Sequence, residues 1–145
     1  MRHSFKSLLS GILASCVIGT VVQAQDDATA QITLELNRVA DTAEGTCQVV
    51  FFGQNGLDRG LSAVTWRLAV FDADGVFNTL LSLPLGELDP GKRRILQFNL
   101  PAACSDISEI IVNDVAACLF EDGTEADVCL DDVVVSSRAE IAFGL

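Results

Sequence analysis

The chain has 145 residues, with 20 Asp and Glu against 9 Lys and Arg, one histidine, no tyrosine and five cysteines. A surface this acidic repels phosphate backbones and anionic lipid headgroups, so no nucleic-acid partner is expected. The single histidine, His3, lies in the leader-like N-terminal stretch, which denies the rest of the chain Ser-His-Asp and Cys-His catalysis and every His-ligated metal or haem site.

Residues 1–24 read as a secretory signal peptide. Arg2 and Lys6 form a basic start, Leu8 to Val22 is apolar apart from Ser10, Ser15 and Thr20, and Val22-Gln23-Ala24 offers small residues to a signal peptidase. The apolar run falls short of the ~20 residues of a comfortable membrane span, and no second one follows, so no transmembrane segment is expected. Leu13-Ala14-Ser15-Cys16 also resembles a lipobox, which makes lipid anchoring through Cys16 the alternative to cleavage after Ala24. Cleavage leaves residues 25–145 as one domain with 7 Lys and Arg against 20 acids, a net charge of 7 − 20 = −13. A periplasmic or secreted location follows from that leader.

After a polar start at 25–30, residues 31–37 alternate strictly, with Ile32, Leu34 and Leu36 on one face, and predict a half-buried strand. Cys47 to Gln54 is apolar on both faces at its middle, as in an inner strand, and Asn55-Gly56 signals a turn. Leu61 to Asp72 is the longest strand candidate, with Val64, Trp66, Leu68 and Val70 inward; the sole tryptophan is expected in the core. Asp72-Ala73-Asp74-Gly75 turns the chain into a strand over Val76 to Leu85, stopped or bent at Pro84. Asp89-Pro90-Gly91-Lys92 turns it again into a strand closed by Pro101.

Ile107 to Phe120 admits two readings. Ser105 to Glu109 opens like a capped helix, whereas Ile110-Ile111-Val112 is a β-branched run that favours a strand. Its alternation sets Ile110, Val112 and Ala116 against Ile111, Asn113 and Val115. Glu121 to Asp127 is an acidic loop, and Cys129 to Arg138 supplies a final strand through Val133, Val134 and Val135. Glu140 to Leu145 continues it or forms an edge. The expected fold is all-β: an immunoglobulin-like antiparallel sandwich of about seven strands.

Cys47, Cys104, Cys118 and Cys129 remain after the leader. An even count in a small exported domain reads as two disulfides, and the absence of any Cys-x-x-Cys pair disfavours a zinc site. If successive strands alternate in direction, Cys47 and Cys104 share one end of the sandwich and Cys118 and Cys129 the other. Only same-end cysteines bring their Cα atoms within ~7 Å, so the expected bridges are Cys47–Cys104 and Cys118–Cys129.

Among candidate sites the acidic loop stands out. Glu121, Asp122, Glu125, Asp127, Asp131 and Asp132 offer clustered oxygens of the kind calcium takes, although their spacing fits no EF-hand. Asp122, Glu125, Asp127, Asp131 and Asp132 are the calcium candidates, against a plain solvated loop. Asp72 to Gly75 matches only a fragment of a calcium loop, and turn chemistry explains it. Lys92-Arg93-Arg94 is the one basic cluster, read as edge protection or as a dock for an anionic partner. No pair among the 20 acids singles itself out for hydrolase chemistry.

Several features together resemble a family of small, uncharacterised exported bacterial proteins labelled by a twin-arginine-pathway signal sequence. They are Leu34-Glu35-Leu36-Asn37, Cys47 before an apolar strand, Phe71-Asp72 with Gly75, and Leu83-Pro84-Leu85-Gly86. Gln97-Phe98, Cys104, and Val112-Asn113-Asp114 with Cys118 complete the set. The resemblance implies an exported domain and carries over no functional residue. The leader departs from the label, because His3 follows Arg2. The expected function is a non-enzymatic protein-interaction or structural module of the cell envelope, with no cofactor and an unknown protein partner. A calcium- or ligand-binding module using residues 121–132 is the first alternative, and a carboxylate hydrolase the second.

Overall fold

The structure is a computed structural model that describes residues 30–145. The leader over 1–24, the lipidation alternative at Cys16 and the polar start up to residue 29 lie outside the described residues. Eight strands follow in chain order: β1 Ile32–Asp41, β2 Cys47–Asn55, β3 Leu61–Asp72, β4 Phe77–Pro84, β5 Arg93–Leu100, β6 Ile107–Phe120, β7 Val133–Ser137 and β8 Ala142–Gly144. A 3-10 turn, Cys104–Asp106, precedes β6, and one short helix, α1 Val128–Asp131, precedes β7.

The strands form two four-stranded sheets, one in the order β5-β2-β1-β7 and the other β4-β3-β6-β8. The inward residues of both build one core. Ile32, Leu34 and Leu36 of β1, Val49 and Phe51 of β2, and Val64, Trp66 and Leu68 of β3 are fully buried. Each such side chain stabilises by about 1.5–3 kcal/mol on leaving water. Strands one, two and five share a sheet and three and six share the other, as in an immunoglobulin-type sandwich, but β4 and β7 each lie in the sheet opposite to the one they take in the seven-strand immunoglobulin arrangement.

Two edge pairings correct the expectation of a purely antiparallel sandwich. β7 runs parallel to β1, and β8 parallel to β6. The cause is parity: successive strands reverse direction, so two odd-numbered or two even-numbered neighbours must be parallel. The same parity brings the cysteines together as expected. Cys47–Cys104 and Cys118–Cys129 are both disulfides, with Cα separations of 4.7 and 6.1 Å.

Two further expectations are corrected, and the favoured of two open readings holds. The segment from Cys129 to Arg138 is not one strand. Residues 128–131 coil into α1, with the amides of Leu130 and Asp131 donating to the Asp127 carbonyl, because the chain must cross here from β6's sheet to β7's. Ile107 to Phe120 is a strand throughout, and the helix-like start shrinks to the 3-10 turn. Within that strand the alternation breaks. The register against β3 shifts around Asn113 and Ala116, and Ala116 turns outward while Ile110 and Val112 stay buried. Bulges of this kind add one unpaired residue and reset the phase of everything beyond.

Asn55 closes β2 and is fully buried. Its Nδ2 donates to the carbonyls of Arg59 and Leu88 at 2.9 and 2.8 Å, and its Oδ1 accepts from the Leu57 amide at 2.9 Å. The side chain thus ties the β2–β3 loop to the segment before β5. Gly56 beside it lets the chain approach β1: its amide donates to the Gln31 carbonyl at 2.9 Å, and a Cβ would stand 2.5 Å from that oxygen. Asn55→Ala would leave the Arg59 carbonyl and the Leu57 amide unpaired, while the Leu88 carbonyl keeps the Leu61 amide at 2.9 Å; each buried unpaired group costs ~1–3 kcal/mol. We expect a loss of about 2–4 kcal/mol in urea unfolding; a loss below about 0.5 kcal/mol would mean that water pairs both groups.

Candidate functional site

The acidic loop does not form one site. Asp122 sits at the tip of the turn after β6, where its Oδ1 accepts from the amide and hydroxyl of Thr124 and its Oδ2 lies 3.9 Å from Arg59. Arg59 itself lies over the Phe120 ring, 3.5 Å from its centre. The backbone of Asp132 joins the other sheet, its carbonyl accepting from the Ile32 amide at 2.8 Å, while its side chain is exposed. Glu125, Asp127 and Asp131 line an open groove beside β6. Among the described residues no group of three or more His, Cys, Asp or Glu side chains converges as a metal site would require. The calcium candidates are therefore dispersed over three places.

The other sequence candidates have structural duties. Asp72 Oδ1 accepts from the amides of Asp74 and Val76, which closes the β3–β4 turn at Gly75, whose φ is 75°. Lys92 lies within ion-pair distance of Glu87 and Asp89, at 3.5 and 3.2 Å. Arg93 and Arg94 start β5, an edge strand of its sheet.

The groove holding the three acids has a volume of about 530 Å³. Its floor is β6 from Val115 to Leu119, and its wall is residues 125–131 with Leu130, which is 53% exposed. The Cys118–Cys129 bridge and the bond from the Ala126 amide to the Cys118 carbonyl, at 3.0 Å, clamp this wall to the strand. No ion pair reaches Glu125, Asp127 or Asp131 among the described residues.

A second feature lies across the same sheet, on edge strand β4. Val76, Phe77 and Leu80 are 59%, 54% and 50% exposed. Phe77 is opposite Phe71 and packs edge-to-face on it at 6.3 Å, and Leu80 is opposite Ala69. Phe77 and Leu80 therefore share the outer face of the sheet, and Val76 lies just before the strand. Ala69 is covered there by Leu80 and by Ile111 of β6, its two cross-strand neighbours. From Val76 to Gly86 the sequence holds no charged residue. Edge strands in isolated domains carry charges, prolines or bulges that discourage pairing; on β4 a bulge near Phe77 and the terminal Pro84 are the only such devices. Sequence reasoning assigned β4 as a strand and did not mark its outer face, because which strands become edges depends on tertiary order.

Three carboxylates are held below their ordinary range. The Arg67 guanidinium donates to Asp114 at 2.6 Å, Asn37 and then Arg138 donate to Glu35, and Thr124 donates to Asp122. A depressed folded-state pKa gives stability that is present above the unfolded value, ~3.9–4.3 for these acids, and is lost as pH falls through the folded value. Melting temperature should therefore fall on acidification below about pH 4. Asp114→Asn should flatten that fall relative to the parent; superimposable profiles would show that the Arg67 pair contributes nothing.

The molecule is thus an all-β sandwich of two four-stranded sheets closed by two disulfides. Among the described residues no helix is long and apolar enough to cross a membrane. No family model matches the chain, and no curated protein matches it. Among solved structures, that of IrmA from Escherichia coli is similar, at 13% identity and a TM-score of 0.49, covering 72% of this chain and 90% of that one.

Proposed function

We propose that this chain is a non-enzymatic, exported β-sandwich module that works by binding a protein partner in the periplasm or outside the cell. The observation that carries the reading is the apolar strip of Phe77 and Leu80 on the outer face of β4, continued inward by Phe71, with exposed Val76 just before the strand. Contiguous exposed apolar surface on an otherwise strongly acidic domain marks an interaction surface. Its chemistry calls for a partner that presents an apolar face with few acids, since the flanks of the strip carry excess negative charge. The two disulfides fit an oxidising compartment. The mature segment offers no histidine for base catalysis.

Site-specific photocrosslinking tests it. A photoreactive residue at Leu80 should give a discrete protein adduct in intact cells, and the same residue at exposed Gln97 of the opposite sheet should not. Addition of Phe77→Ser should abolish the Leu80 adduct. Equal labelling at the two positions, or an adduct indifferent to Phe77→Ser, would overturn the reading.

A further inference from the structure

The groove beside β6 has a property that its acids alone do not convey. β6 has β3 along one side for its whole length. On its other side β8 takes only Glu109 to Ile111, and the arm at 124–126 takes only Cys118 to Phe120. Among the described residues the stretch from Val112 to Ala117 has no strand on that side. This is a gap in a sheet edge, bounded by strand-like segments at both ends and floored by small residues, Ala116 and Ala117. An unpaired strand edge leaves backbone donors and acceptors directed outward; here the bulges at Asn113 and Ala116 interrupt their regular spacing, so an added strand must follow the same bend.

The geometry points to strand addition in this gap by an extended, basic peptide segment of another protein. Backbone bonds to residues 112–117 would supply affinity, as in other β-augmentation sites. The residues that set the charge preference are Glu125, Asp127 and Asp131 on the wall, none of them paired with a cation among the described residues. Leu130 offers apolar contact between them. Alternate side chains of an added strand point to the same face of the sheet, so lysine or arginine at every second position would meet the acidic wall while the intervening residues point to the opposite face. The site lies on the far side of β3 and β6 from β4, so it stands or falls separately from the apolar strip.

The test uses the secreted, oxidised protein and a labelled octapeptide of alternating lysine and threonine, read by fluorescence anisotropy. Two controls separate the sources of affinity: the glutamate–threonine counterpart, and a lysine–threonine peptide N-methylated on alternate backbone nitrogens, which keeps the charge and cannot extend a ladder. The lysine peptide should bind in the micromolar range, with N-methylation weakening it about tenfold or more. Asp127→Asn with Asp131→Asn, at exposed positions, should weaken it by about fivefold or more while leaving the melting temperature unchanged. Hydrogen exchange should slow at residues 112–117 and nowhere else on the sheet edges. Silence at millimolar peptide, equal binding of the N-methylated or glutamate peptide, or protection mapped to β4 would each overturn the proposal.

Discussion

Reduction of the oxidised protein should lower its melting temperature by about 20 °C or more, or unfold it outright at room temperature. The bridges close loops with sequence separations of 57 and 11 residues. Loop-closure entropy gives roughly 4 and 3 kcal/mol for loops of those lengths, as upper guides. A domain of this size has a net stability of ~5–15 kcal/mol, and each kcal/mol is worth about 3–6 °C at this length. The two bridges should also differ in what they release. Cys47 begins β2, and Cys104 lies past the end of β5, the strand beside it, so that bridge secures one end of a sheet. Its neighbourhood is tied further by the Cys104 amide, which donates to Asp41 Oδ1 at 2.8 Å. Cys118–Cys129 instead holds the crossover and α1 against β6. Cys118→Ser with Cys129→Ser should therefore loosen the groove wall before the sheets, with residues 121–131 exchanging early. The measurement is a pair of thermal melts, with and without reductant, followed by fluorescence of Trp66, the only tryptophan. Coincident melts would mean that the core alone suffices.

Much of this fold could be read before any coordinates, and the reason is the two-residue period of a strand. Ile32, Leu34 and Leu36, and then Val64, Trp66, Leu68 and Val70, were legible as inward sets because each run alternates without interruption. Strand parity then predicted both disulfides, and it also explains the two parallel edges. Legibility ends where the period breaks. In β6 the extra residues at Asn113 and Ala116 reset the phase, and Ala116 faces out against its expected place. Asn55 reads as a turn residue; nothing in its neighbours reveals that three backbone groups close around its amide. The acidic residues at 121–132 are dense in sequence and separate in space, because the turn at Phe120 to Thr124 and helix α1 send them in different directions. Neither the apolar strip nor the gap along β6 has a local signature. Both are consequences of which strand ends up beside which.

The effect of Trp66 should exceed that of any other single side chain. It is fully buried among inward residues of both sheets, and its Nε1 donates to the Cys129 carbonyl at 2.8 Å. Trp66→Ala should cost about 3–5 kcal/mol for the lost burial and the cavity, and the orphaned carbonyl adds ~1–3 kcal/mol. Trp66→Phe keeps most of the apolar bulk and isolates the second contribution, so its expected cost is about 2 kcal/mol. The acceptor belongs to a disulfide-bonded residue, which couples the core to the crossover. With Cys118 and Cys129 both changed to serine, α1 is free to move and that carbonyl can turn to water. Trp66→Phe should then cost less than in the parent, with a double-mutant coupling in the range ~0.5–3 kcal/mol found for residues in direct contact. Urea unfolding followed by far-ultraviolet circular dichroism measures all four corners, since the fluorescent probe is the residue removed. Costs that add within about 0.3 kcal/mol would show that the indole bond survives without the bridge, and that Trp66 orders the crossover by itself.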